Sequence, residues 1–127
     1  MMKVLATDKA PAAIGPYSQA VRCGDFVYVS GQLPIDPATG AFAGEGIADQ
    51  TRQSLTNIKS ILESEGLSMA NVVKTTVLLK NISDFGAMNE VYATFFTGAC
   101  PARAAFEVAA LPKDALIEIE AVTYRKG

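Results

Sequence analysis

Histidine is absent from the 127 residues, and cysteine occurs only twice. Without imidazole, Ser-His-Asp and Cys-His catalysis are excluded together, and so are histidine-based metal sites. Cys23 and Cys100 are far apart and in no CxxC pattern. They fall short of a zinc site or a disulfide framework, and are expected as two reduced thiols of a cytosolic protein. A charge excess is also missing. The formal net charge is −2, the lysines and arginines are scattered, and no run of five like charges exists. A chain that grips many phosphates carries a basic footprint, so nucleic acid is not the expected partner. No stretch of about 18 apolar residues occurs, and the first residues, MMKVLATDKAPAAIGPY, hold no apolar leader segment. The expectation is a soluble, unsecreted, cytoplasmic protein with no membrane partner.

What is present is a globular composition. Half of the residues are hydrophobic and 19% are charged, which suits one core and a single domain over 1–127. Residues 3–7 read as a short edge strand. Residues 10–16 hold two prolines and a glycine, and so form an irregular loop. The runs 18–22 and 26–30 flank Cys23-Gly24-Asp25 as a hairpin, with Val27 and Val29 on one face and Phe26, Tyr28 and Ser30 on the other. Asp36-Pro37-Ala38-Thr39-Gly40 has turn chemistry. A helix is expected over 47–65, because Ile47, Thr51, Leu55, Ile58 and Leu62 recur every three or four residues; Gly66 then stands at its C-terminal end. Residues 72–80 are rich in β-branched side chains and read as a strand. Ser83 is a candidate cap for a second helix over 84–96, with Met88, Val91 or Tyr92, and Phe95 inward. Two last strands, 101–108 and 116–125, flank a turn at 111–114. The order β-β-β-α-β-α-β-β predicts an α+β fold, one sheet with both helices on one face. The other face then needs covering, which oligomerisation would supply.

Arg103 stands out in the small, apolar run Pro101-Ala102-Arg103-Ala104-Ala105-Phe106. Burying a guanidinium is costly unless it meets an anion, and its fork matches a carboxylate. Two readings stay open: a clamp for a substrate carboxylate, or a structural pair with Glu118 or Glu120. Those glutamates alternate with Ile117 and Ile119 and share one strand face. Either the face is solvated, or one carboxylate orients a water and takes its proton. Tyr17, presented by Gly15-Pro16, either walls a pocket or fills the core. Ser30-Gly31 ends a strand where backbone could approach a ligand closely. Asn89 lies on the second helix, at a surface or across an interface. Lys74 reads as an inward charge or, in preference, as an edge gatekeeper or a solvated charge. Cys100 has no evident base beside it and reads as inert.

The ordered set of segments GPY, SGQ, VVKTTV, PAR and IEIEAV is specific in combination, and with it nearly the whole chain resembles the RidA (YjgF/L-PSP) family. The resemblance implies a chorismate-mutase-like α+β fold and a homotrimer with pockets between subunits. It implies hydrolysis of 2-aminoacrylate and 2-iminopropanoate-type intermediates to 2-keto acids and ammonia, with no cofactor and with a small carboxylate-bearing substrate as partner. By position, Arg103 matches the family's carboxylate-binding arginine and Glu118 the glutamate that positions water. Tyr17, Ser30, Gly31 and Asn89 match pocket positions, Tyr17 arriving from the adjacent subunit. Glu120 has no such role in the family pattern. One departure is Ala105, where many bacterial members carry cysteine; the position is expected to offer backbone contacts and pocket shape. The rival reading is a trimer that binds 2-keto acids without turnover. An endoribonuclease and a chorismate-mutase-like enzyme are weaker alternatives.

Overall fold

A computed structural model describes residues 1–126. The strands are β1 (Met2–Leu5), β2 (Ala20–Cys23), β3 (Phe26–Gln32), β4 (Val72–Leu79), β5 (Ala102–Glu107) and β6 (Ile117–Tyr124). The helices are α1 (Ile47–Glu63) and α2 (Phe85–Phe95). One six-stranded sheet forms in the order β1-β2-β3-β6-β4-β5. Its pairings are antiparallel except β4 with β5, which run parallel because α2 crosses over between them.

Alternation places the core on one face. Val27 and Val29 of β3, Val77 and Leu79 of β4, and Ile117 and Ile119 of β6 are buried. They pack with Leu55, Ile58, Ile61 and Leu62 of α1 and Met88 and Tyr92 of α2. Each fully buried aliphatic side chain contributes about 1.5–3 kcal/mol. The other face is open: Phe26, Tyr28 and Phe106 are exposed, and Phe26 stacks on Tyr124 with centroids 5.1 Å apart. The two-helix, one-face architecture expected from the sequence is the one observed.

α1 ends as its glycine suggests. Gly66 has φ 75°, its N–H donates to Glu63 O at 3.0 Å, and Leu67 N–H donates to Leu62 O at 2.9 Å. This pair of bonds is a Schellman closure, with Leu67 packed back on the core. Two expectations are corrected. Ser83 does not cap α2. Residues Ile82–Asp84 form a 3₁₀ turn, Asp84 stands at the cap with no side-chain bond, and the Phe85 N–H is taken by Ile82 O. For Lys74 the edge reading is excluded, because β4 lies between β6 and β5, and the solvated reading holds, because its side chain is exposed. Among the described residues no helix is long and apolar enough to cross a membrane.

Candidate active site

The loop before β2 is pinned by a buried amide. Gln19 is 4% exposed. Its Nε2 donates to Thr7 O at 3.0 Å and to Pro11 O at 2.7 Å, and its Oε1 accepts from the Thr7 N–H at 2.7 Å. Ser30 ties the same loop to β3: its hydroxyl donates to Ser18 O at 2.6 Å and its N–H to Gln19 O at 2.9 Å. Tyr17 is thereby presented from an anchored segment. The sequence reading missed Gln19; a lone amide after Gly-Pro-Tyr carries no period that marks it as buried.

Between Val29 and Gln32 the β3–β6 register slips by one residue. This bulge falls on Ser30-Gly31 and re-aims the strand beside the neighbouring glutamate. A Cβ at Gly31 would overlap the Glu118 carboxylate, standing 2.9 Å from its Cδ. Gly31 is therefore the residue that lets Glu118 lie against the backbone. Tyr17, Ser30, Gly31 and Glu118 line one cavity of about 700 Å3, within the range of small-molecule sites. Partial burial pushes the Glu118 carboxyl above its usual pKa, and the like charge of Glu120 pushes it the same way. A carboxylate shifted upward is better matched to proton transfer near neutral pH.

Arg103 lies elsewhere. Its Nη1 donates to Asn89 Oδ1 at 2.7 Å, and its guanidinium sits over the rings of Tyr92 and Phe85, 4.8 and 5.3 Å from their centroids. These partners all belong to α2, so Arg103 is on the helix side of edge strand β5. Among the described residues it pairs with no carboxylate, so the structural pair with Glu118 or Glu120 is not formed. Ala105 follows on the same side, partly buried against the core.

The predicted residues thus fall into two groups. Arg103 pairs with Thr75, and Glu118 with Leu78. They are two strands and three residues apart, about 10 Å in each direction, and they project from opposite faces. On one chain Tyr17 shares a cavity with Ser30, Gly31 and Glu118, while Arg103, Asn89 and Ala105 lie on the helix side of the sheet. Cys100 is exposed and its thiol meets only Phe96 O, at 3.9 Å. Among the described residues no cluster of three potential metal ligands forms.

A bulged sheet thus sets a partly buried glutamate in a cavity, and an arginine with no carboxylate partner among the described residues lies on the sheet's other face. The chain belongs to the RidA (YjgF/L-PSP) family: the family model described as Endoribonuclease L-PSP matches residues 7–125. It is 55% identical to the 2-iminobutanoate/2-iminopropanoate deaminase of Rattus norvegicus, over 94% of this chain and 88% of that one. It is 52% identical to the protein of the same name from Salmonella typhimurium, over 99% and 100%. The crystal structure of E. coli TdcF with bound serine superposes with a TM-score of 0.94 at 43% identity, covering 98% of this chain and 99% of that one.

Proposed function

We propose that this chain is a deaminase that hydrolyses the imines of small 2-amino acids to 2-keto acids and ammonia, at sites shared between neighbouring copies of a cytoplasmic homotrimer. The observation that carries the reading is Glu118, pushed toward proton exchange in a cavity that lacks the arginine its substrate needs. A 2-imino acid has its carboxylate one bond from the C=N carbon, so clamp and base must act within a few ångströms of each other. One chain holds them on opposite faces of its sheet. A second copy that brings its β5 edge to the cavity mouth completes the set, and the exposed Phe26, Tyr28 and Phe106 mark the face such assembly would cover.

In the completed site the Arg103 fork takes the carboxylate with charge-assisted bonds, while Asn89 holds the guanidinium. Ala105 shapes the wall beside it, and Tyr17, Ser30 and the Gly31 backbone surround the reacting carbon. Glu118 orients a water. The imine reacts in its protonated, iminium form: as the water oxygen bonds to C2, the C=N pair passes to nitrogen, one water proton passes to the Glu118 carboxylate and a neutral carbinolamine forms. Glu118 returns that proton to nitrogen and then takes the hydroxyl proton as C=O forms, the C–N bond breaks and ammonia departs. Fixing both partners supplies much of the acceleration, and general base catalysis about a further 10²–10⁴-fold. The relatives named as deaminases support this substrate class. The net charge of −2 does not favour a nuclease.

The test generates an imine in situ with an amino-acid oxidase and follows keto-acid release with wild type, Arg103→Ala and Glu118→Gln, with particle mass measured by light scattering. Acceleration by wild type, loss in both variants and an unchanged trimer are expected. A wild type that binds the keto acid but does not speed its release would sink the enzyme in favour of a binding protein.

A further inference from the structure

We infer that Phe85 and Tyr92 are positioning residues for Arg103, ordering its guanidinium so that its free donors are presented to the carboxylate of a small 2-oxo or 2-imino acid. The inference rests on the reading of Arg103 as the carboxylate clamp.

Arginine on a solvent-exposed edge strand ordinarily samples many rotamers, and a clamp that must first be ordered binds weakly. Arg103 is exposed, yet three groups hold it: the Tyr92 ring at 4.8 Å, the Phe85 ring at 5.3 Å and Asn89 Oδ1 at 2.7 Å. Residues 85, 89 and 92 follow an i, i+4, i+7 spacing, which aligns them on one face of α2. Tyr92 is itself fixed. It is 6% exposed, and its hydroxyl bonds Thr75 Oγ1 at 2.7 Å. Thr75 is the β4 residue that registers with Arg103 of β5. A closed circuit results: Arg103 to the Tyr92 ring, Tyr92 to Thr75, and Thr75 through the strand pairing back to Arg103. The five N–H donors of a guanidinium lie in its plane. The two rings lie at cation–π distance from the guanidinium carbon and take up no classical hydrogen-bond donor, while Asn89 accepts from one. Ring contacts therefore order the arginine while leaving donors for a carboxylate.

The experiment compares Tyr92→Leu, Phe85→Leu and Tyr92→Phe in the intact assembly. Calorimetry measures pyruvate, with pyruvamide as the uncharged control, and kinetics use the imine of alanine. Losing one ring face is expected to raise both KM and the pyruvate Kd about tenfold, with kcat within about twofold and pyruvamide binding unmoved. Tyr92→Phe keeps the ring and should keep KM, while its melting temperature drops because the Thr75 hydroxyl loses its partner. A role in packing alone would make KM indifferent to all three variants, or make Tyr92→Phe as harmful as Tyr92→Leu; either result overturns the inference. Phe85→Leu decides the matter if Tyr92→Leu does not fold. If wild type binds pyruvate but leaves the imine alone, the deaminase reading fails and the cradle is still judged on Kd. If Arg103→Ala binds pyruvate as wild type does, the clamp and the cradle fall together.

Discussion

Two inactive variants should repair each other. Arg103 and Glu118 project from opposite faces of one sheet and lie two strands apart, so the proposed active site draws one from each of two chains. Arg103→Ala chains retain Glu118, and Glu118→Gln chains retain Arg103. In a cyclic trimer each interface takes the arginine of one subunit and the glutamate of the next. After the two variants are unfolded together at equal concentration and refolded, about one interface in four carries both native groups, so roughly a quarter of wild-type activity returns. Keto-acid release is the assay, with each variant refolded alone as the baseline. The double variant mixed with wild type is the control for dilution. Recovery should climb to its plateau as subunits exchange, with mass unchanged by light scattering. No recovery, with mixed assembly shown by differently tagged chains, would refute a site divided between copies and require Arg103 and Glu118 to act within one chain.

Gly31→Ala should displace Glu118 and lower kcat about 10²-fold, the cost of a misplacement near 1 Å, while circular dichroism shows the fold retained. Glu118→Gln should raise the melting temperature at neutral pH. Burial lifts this carboxyl's pKa in the folded chain, so its contribution to stability is whole below the ordinary glutamate range and is lost as pH rises through the lifted value; the glutamine variant's advantage should therefore vanish in acid. Glu120→Gln removes the like charge that helps lift Glu118, and the acid limb of kcat/KM should move to lower pH; a limb that stays or moves up would contradict the assignment. Gly66→Ala places a Cβ at φ 75° and should cost about 1 kcal/mol in chemical denaturation without changing kcat.

Local pattern made much of the fold legible. The three- and four-residue recurrence from Thr51 to Leu62 marked α1, and the alternation of Ile117 and Ile119 with Glu118 and Glu120 marked the two faces of β6. Both signals are read from neighbours on the same element. Less legible was anything set by partners distant in sequence. That β6 inserts between β3 and β4 took Lys74 from a supposed edge into the sheet. The Ser83 cap failed because the backbone of residues 82–85 closes a 3₁₀ turn on itself, a local competition that residue type alone does not reveal. At the site, Gly31 signals a close backbone approach, and the group that approaches is Glu118. Tyr92 was legible as a core residue; that one of its faces also carries Arg103 depends on the β4–β5 register. Lys113 and Asp114, both with φ near 57–58°, hold a left-handed turn that Leu-Pro-Lys-Asp signals only as a turn of some kind.

The separation of Arg103 from Glu118 has a physical use. Were the two on one face within reach, they would neutralise each other as a salt bridge. The glutamate would then be held below its usual pKa and the fork would be occupied before any substrate arrived. A β-sheet prevents this cheaply, because side chains on opposite faces cannot meet however the strands twist. Each chain therefore carries two reactive groups unspent: a carboxylate lifted by burial and by Glu120, and a guanidinium committed, among the described residues, to Asn89 and two rings. In the proposed assembly they face each other across the width of a small acid, whose carboxylate takes the fork and leaves Glu118 free to receive a proton. The same arrangement explains why Arg103 needs its aromatic support. An arginine kept from its internal partner would otherwise be a mobile surface side chain, and the gain from leaving it unpaired would be lost to disorder.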